Sequence, residues 1–69
     1  MGNEILYTTA EVAKLLKTKP EQVYKLMNAG LLPYLIIGRR KVRASALEEF
    51  LARYEGYDVT DPNNVHRIE

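Results

Sequence analysis

Gln22, Tyr24, Lys25 and Asn28 lie close together in the chain, and three of them carry donors or acceptors that can pair with the edges of nucleic-acid bases. The Tyr24 hydroxyl is suited to a phosphate. Further on, Arg39, Arg40 and Lys41 follow Gly38 as three consecutive cations, the kind of cluster that neutralises phosphates and displaces their counterions. Lys14, Lys17, Lys19 and Arg43 extend the same chemistry and are candidates for further backbone contacts.

Other chemistries lack their parts. There is no nucleophile near a base, no glycine-rich phosphate loop and no ligand cluster at metal spacing. Cysteine is absent, which excludes disulfides and thiolate metal sites, and the one histidine, His66, has no second ligand nearby. Glu48 and Glu49 are adjacent on a predicted helix and diverge by about 100°, so they do not form an acid and base pair. No catalytic residue, cofactor or metal is expected. The five tyrosines raise base stacking on single strands as an alternative. Tyr7 and Tyr54 occupy packing positions, which favours core use for them.

Charge distribution carries more than net charge, which is only +1. Lys14 to Arg43 contains eight basic residues and one acid, Glu21, for +7; the first thirteen residues carry −2 and the residues from Ala44 onward −4. A cationic block between acidic ends is the footprint of a phosphate-binding surface. Sixty-nine residues allow one domain with a core near the lower limit for unaided folding. No apolar run approaches the roughly 20 residues that span a bilayer, and the N-terminus lacks a secretory h-region, so a soluble, cytoplasmic protein is expected.

The elements that must position these side chains begin at Thr8. Thr8 and Glu11 have capping-box spacing, with Tyr7 and Val12 placed as a hydrophobic staple. Val12, Leu15 and Leu16 predict the apolar stripe of a helix from Thr9 to Lys17, with Glu11, Lys14 and Lys17 on its other face. A second helix opens on Pro20, buries Val23, Leu26 and Met27, and ends at Gly30. It displays Glu21, Gln22, Lys25 and Asn28 outside that stripe, the layout of a helix-turn-helix whose second helix lies in the major groove. Leu31, Leu32 and Pro33 leave the helix. Tyr34 to Ile37 and Lys41 to Arg43 then read as two strands of a hairpin with Gly38, Arg39 and Arg40 at its tip, a wing. If Leu35 and Ile37 face the core, Ile36 is left towards solvent, to be covered by the first strand or the C-terminal tail, or to serve as a contact patch. Ile5 to Tyr7 reads either as a short strand or as the staple alone. Ser45 and Glu48 have a second capping-box spacing, opening a third helix with Leu47, Phe50, Leu51 and Tyr54 on its buried stripe and Gly56 as its stop. Its outer face is acidic. Residues 57–69 read as turn and tail, with folding back on Ile36 and fraying as equal alternatives.

This order of elements resembles the excisionase-type winged helix-turn-helix domains, small relatives of the MerR DNA-binding domain. The resemblance covers Tyr7 to about Tyr54 and is most specific at Val23-Tyr24-Lys25-Leu26, Gly30-Leu31-Leu32-Pro33 and Ile37-Gly38-Arg39-Arg40. It implies an α+β, mainly helical domain over residues 1–56 that binds double-stranded DNA in a sequence-specific way. The second helix (Gln22, Tyr24, Lys25, Asn28) would lie in the major groove and the wing (Arg39, Arg40, Lys41) in the minor groove. Many such domains are recombination directionality factors that bend DNA beside a tyrosine integrase, and others are transcription regulators. The chain departs from the pattern in opening its second helix with Lys19 and Pro20, in a shorter connection from wing to third helix, and in lacking a proline there. With no long helix after Gly56 to form a coiled coil, a monomer that assembles along DNA is expected. A reading of another class is a protein interaction module docking through Ile36 and the acidic third helix.

Overall fold

Thr8 opens the first helix through reciprocal bonds, its Oγ1 accepting from the Glu11 amide at 3.1 Å and Glu11 Oε1 accepting from the Thr8 amide at 2.8 Å. This is the capping box that the spacing predicts. The computed structural model describes residues 5–68. In chain order the elements are β1 (Leu6–Thr8), α1 (Thr9–Leu16), α2 (Pro20–Asn28), β2 (Leu35–Ile37), β3 (Arg39–Arg43), α3 (Ala44–Arg53), β4 (Tyr57–Asp58) and β5 (His66–Arg67). The alternative left open at the N-terminus is thus resolved in favour of a strand.

Lys17 ends α1 in a left-handed conformation, φ 58°, while the Thr18 amide donates back to the Ala13 carbonyl at 2.9 Å. A non-glycine residue adopts that conformation at a cost, which marks the tight turn between α1 and α2 as imposed by their packing. The end of α2 is cheaper. Gly30, at φ 82°, takes the left-handed position, its amide donating to the Met27 carbonyl and that of Leu31 to the Leu26 carbonyl, both at 3.0 Å. Together these bonds form a Schellman motif.

The main sheet is antiparallel in the order β1-β3-β2, so β3 is central. Leu6, Tyr7 and Thr8 lie opposite Arg43, Val42 and Lys41, and Leu35, Ile36 and Ile37 lie opposite Lys41, Arg40 and Arg39. The second strand of the hairpin therefore starts at Arg39 rather than Lys41, and Gly38 alone makes the turn. β3 runs directly into α3. The Ala44 amide donates to the Ile5 carbonyl at 2.8 Å, and Arg43 holds the N-cap position with no side-chain capping bond. The predicted start at Ser45 is displaced because pairing with β1 carries the chain to the edge of the helix.

Val12, Ala13, Val23, Leu26, Met27, Leu32, Val42, Leu47 and Phe50 form the core, with Tyr7, Leu16, Leu31, Tyr54 and Val59 packed around it. Two predicted core positions are corrected: Leu15 is 54 % exposed and Leu51 48 % exposed. α1 contacts both α2 and β3, and that pair of neighbours turns its buried stripe towards Thr9, Val12 and Ala13. Leu32, predicted only as part of the exit from α2, is fully buried because the Schellman turn brings it back over the helix, its amide 3.3 Å from the Leu26 carbonyl.

The C-terminal segment is folded. β4 and β5 pair antiparallel, Tyr57 opposite Arg67 and Asp58 opposite His66, and Val59 packs on the core. Asp58 Oδ1 accepts from the Thr60 amide at 2.9 Å and Asp61 Oδ1 from the Asn63 amide at 3.1 Å, two turns that return the chain. The segment does not cover Ile36, which remains 67 % exposed.

Two leucines test the packing. Leu32→Ala should cost about 2–5 kcal/mol in denaturant unfolding. Leu15→Ala should stay within about 0.5 kcal/mol of the parent. The sequence stripe alone ranks them the other way.

Candidate nucleic-acid interface

Helical geometry divides the surface of α2 into three strips. Val23, Leu26 and Met27 are buried against the core. Glu21, Tyr24, Lys25 and Asn28 are exposed on the outward strip, and Gln22 and Ala29, both half-buried, lie along one flank. An α-helix with its side chains is about 10–12 Å across and the major groove of B-DNA about 12 Å wide. Only the outward strip of a flanked helix can therefore reach base edges.

The C-terminal segment occupies the Gln22 flank. Gln22 Nε2 donates to the Thr60 carbonyl at 2.8 Å and lies 3.4 Å from the Val59 carbonyl. Its amide is directed at main chain 37 and 38 residues away, and not into a groove. Pro62 is buried, and a concavity of about 480 Å³ separates Lys25, Asn28 and Ala29 from the loop of residues 60–63. Hydrogen bonds from the Thr60 side chain and backbone hold the Asp58 carboxyl below its ordinary range, the nearby His66 adding a smaller effect in the same direction. A carboxyl lowered in the folded state supports that turn above the ordinary carboxylate range and ceases to do so as pH falls through its depressed value. His66 Nε2 lies 3.8 Å from Asp58 Oδ2, bridging β4 and β5.

The hairpin of β2 and β3 occupies the opposite flank. Side chains alternate along a strand, so Val42 and Arg40 share a face, with Ile36 opposite Arg40. Val42 is in the core and Arg40, two residues further out, lies over the end of α2. The Arg40 guanidinium sits 5.1 Å from the centre of the Tyr24 ring and 4.8 Å from that of Tyr34. Its Nη1 donates to Asn28 Oδ1 at 3.1 Å and approaches Met27 Sδ at 3.7 Å. Arg40 is half-buried, a clamp between hairpin and helix rather than a free cation at the tip. Lys41 is also engaged, its Nζ donating to the Ile37 carbonyl at 3.2 Å.

Of the predicted site residues, the structure thus brings Tyr24, Asn28 and Arg40 into contact and leaves Lys25 and Arg39 projecting. Gln22 is held apart from them by the C-terminal segment. The side chains of Lys14, Lys17, Lys19, Lys25 and Arg39 make no ion pair or hydrogen bond among the described residues, which leaves five cations uncompensated. Arg43 lies at the strand end beside β1. Tyr34 was missed by sequence reasoning. Its place two residues before Ile36 puts it on the Arg40 face, a relation legible only once the register is known.

Replacing Arg40 by alanine should destabilise the fold by about 1–2 kcal/mol, from two cation–π contacts and one charged hydrogen bond on a half-exposed side chain. Arg40→Lys should recover little, since an ammonium does not stack and bond as a planar guanidinium does. Arg39→Ala should change the melting midpoint hardly at all. Thermal melts of the three variants make the comparison.

No helix among the described residues is long and apolar enough to cross a membrane. A family model described as a helix-turn-helix domain matches residues 6–54, which takes in β1 through α3 and the residue after it. No curated protein and no solved structure matches the chain significantly.

Proposed function

The chain belongs to the helix-turn-helix domain family, a DNA-binding family, and from that premise we propose that it is a sequence-specific duplex DNA-binding protein of excisionase type, an architectural accessory to a tyrosine recombinase. The outward strip of α2 enters the major groove, where Lys25 and Asn28 address base edges and Tyr24 the backbone. The hairpin is the wing, with Arg39 and Lys41 at phosphates of the adjacent minor groove. Lys14, Lys17, Lys19 and Arg43 add backbone contacts, and the molecule acts as a monomer that assembles along DNA. Residues 57–68 serve as a tail that braces α2 through Gln22.

One observation carries the reading. Arg40 ties the exposed strip of α2 to the cationic hairpin, inside a block of net charge +7 in which Lys14, Lys17, Lys19 and Lys25 make no ion pair among the described residues. Clustered like charges destabilise a folded chain unless a polyanion binds them. The alternative of a protein interaction module leaves that cluster without a use.

Titration of a duplex selected from a random library, against random duplex and at several salt concentrations, tests the placement. Removing Arg39 or Lys41 should lower the slope of log affinity against log salt by about 0.9 per charge while discrimination survives. Lys25→Ala and Asn28→Ala should each cost about 1–3 kcal/mol on the selected duplex and little on random DNA. If the wing variants keep the parental slope and the helix variants keep the parental discrimination, this docking is wrong. The recombination role is tested separately, by excision with the partner integrase. Full excision by integrase alone would leave a transcription regulator using the same surface.

A further inference from the structure

The tip of the hairpin carries two large apolar side chains that the fold does not use. Ile36 is 67 % and Ile37 58 % exposed, and because they are consecutive on a strand they point to opposite faces. Ile37 forms the last pair before the turn, opposite Arg39, with Gly38 alone between them at φ 74°. A Cβ at Gly38 would meet nothing within 4 Å, so no other part of the fold packs on the turn. Scattered exposed isoleucines are ordinary, but these two crown a cationic projection in a stretch, residues 22–47, that contains no Asp or Glu.

We propose that Ile37 is an apolar wedge that enters the minor groove of duplex DNA, slides between two stacked base pairs and kinks the helix, with Arg39 on the flanking phosphates. The inference rests on the DNA-binding reading above and goes beyond it by naming the deforming residue. Three features favour this occupant. A base step offers an apolar slot bordered on both sides by phosphates, which matches an isoleucine beside an arginine better than a protein surface that would need acids to meet the cations. The two strands of a hairpin lie about 4.8 Å apart, whereas the minor groove is about 6 Å wide, so the tip fits but its side chains do not unless the groove opens. Opening it bends the duplex towards the major groove. Finally, the tip is braced for the task. Lys41 Nζ already satisfies the Ile37 carbonyl, and Arg40 ties the hairpin to α2, so the tip cannot swing aside as the helix docks. Ile36, on the Arg40 face and nearer α2, is placed to pack against the groove wall behind it.

The test uses the full chain and a duplex selected from a random library, carrying 2-aminopurine at each pyrimidine–purine step in turn, since those steps unstack most easily. Fluorescence of the 2-aminopurine reports unstacking, and energy transfer between end labels reports bending. The parent should brighten one step and shorten the end-to-end distance. Ile37→Ala should abolish both signals and weaken binding about tenfold, in keeping with the loss of one buried isoleucine, with an unchanged salt slope and an unchanged circular dichroism spectrum. Ile37→Phe should retain both signals. Parental unstacking and bending by Ile37→Ala would overturn the wedge, as would a parent that binds tightly without brightening any step. A parent that does not bind duplex at low salt would instead overturn the DNA-binding reading.

Discussion

The alternation of side chains along β3 is the constraint on which the rest of the molecule depends. Val42 lies in the centre of the core, and Arg40, one strand period away on the same face, reaches over the end of α2. The same five residues are the middle strand of the sheet and run without a break into α3. A slip of one residue would turn Val42 to solvent and Arg40 away from Tyr24, losing core and surface together. Interior packing and the geometry of the exposed face are therefore a single property of this chain.

That coupling suits a molecule with so little interior. A chain of this length buries too few side chains to build a separate platform for binding, so its helices and strands serve as both core and surface. Uncompensated lysines at the ends of α1 and α2 repel one another across a small body, and the sheet and the Arg40 clamp hold the arrangement against that repulsion. No acidic residue falls between Gln22 and Leu47, the stretch that contains the cationic hairpin, while α3 and the residues after it carry most of the acids.

The C-terminal hairpin gives the exposed face its width. By taking the Gln22 amide, it borders one flank of that helix, as the Arg40 stack borders the other. The exposed strip of α2 between these flanks contains Lys25 and Asn28.

Features set by neighbours a few residues apart were legible in the sequence. The Thr8 and Glu11 cap, the proline start of α2, its glycine end and the hairpin turn at Gly38 each depend on bonds or dihedral angles spanning six residues or fewer, and residue type alone specifies them. The charge block was legible for the same reason, since it needs no geometry. Where each side chain ends up depended on partners brought from far along the chain. Leu15 and Ala13 compete for one stripe until α2 and β3 close on α1; Leu32 is buried only after the turn at Gly30 folds it back. Gln22 reads as a base contact until a carbonyl 38 residues away accepts its amide. Arg40 reads as a free cation until the strand register sets it between two tyrosines. Only the tertiary structure decides these, because a side chain's role is fixed by what packs against it, and that is a property of the closed fold and not of the local sequence.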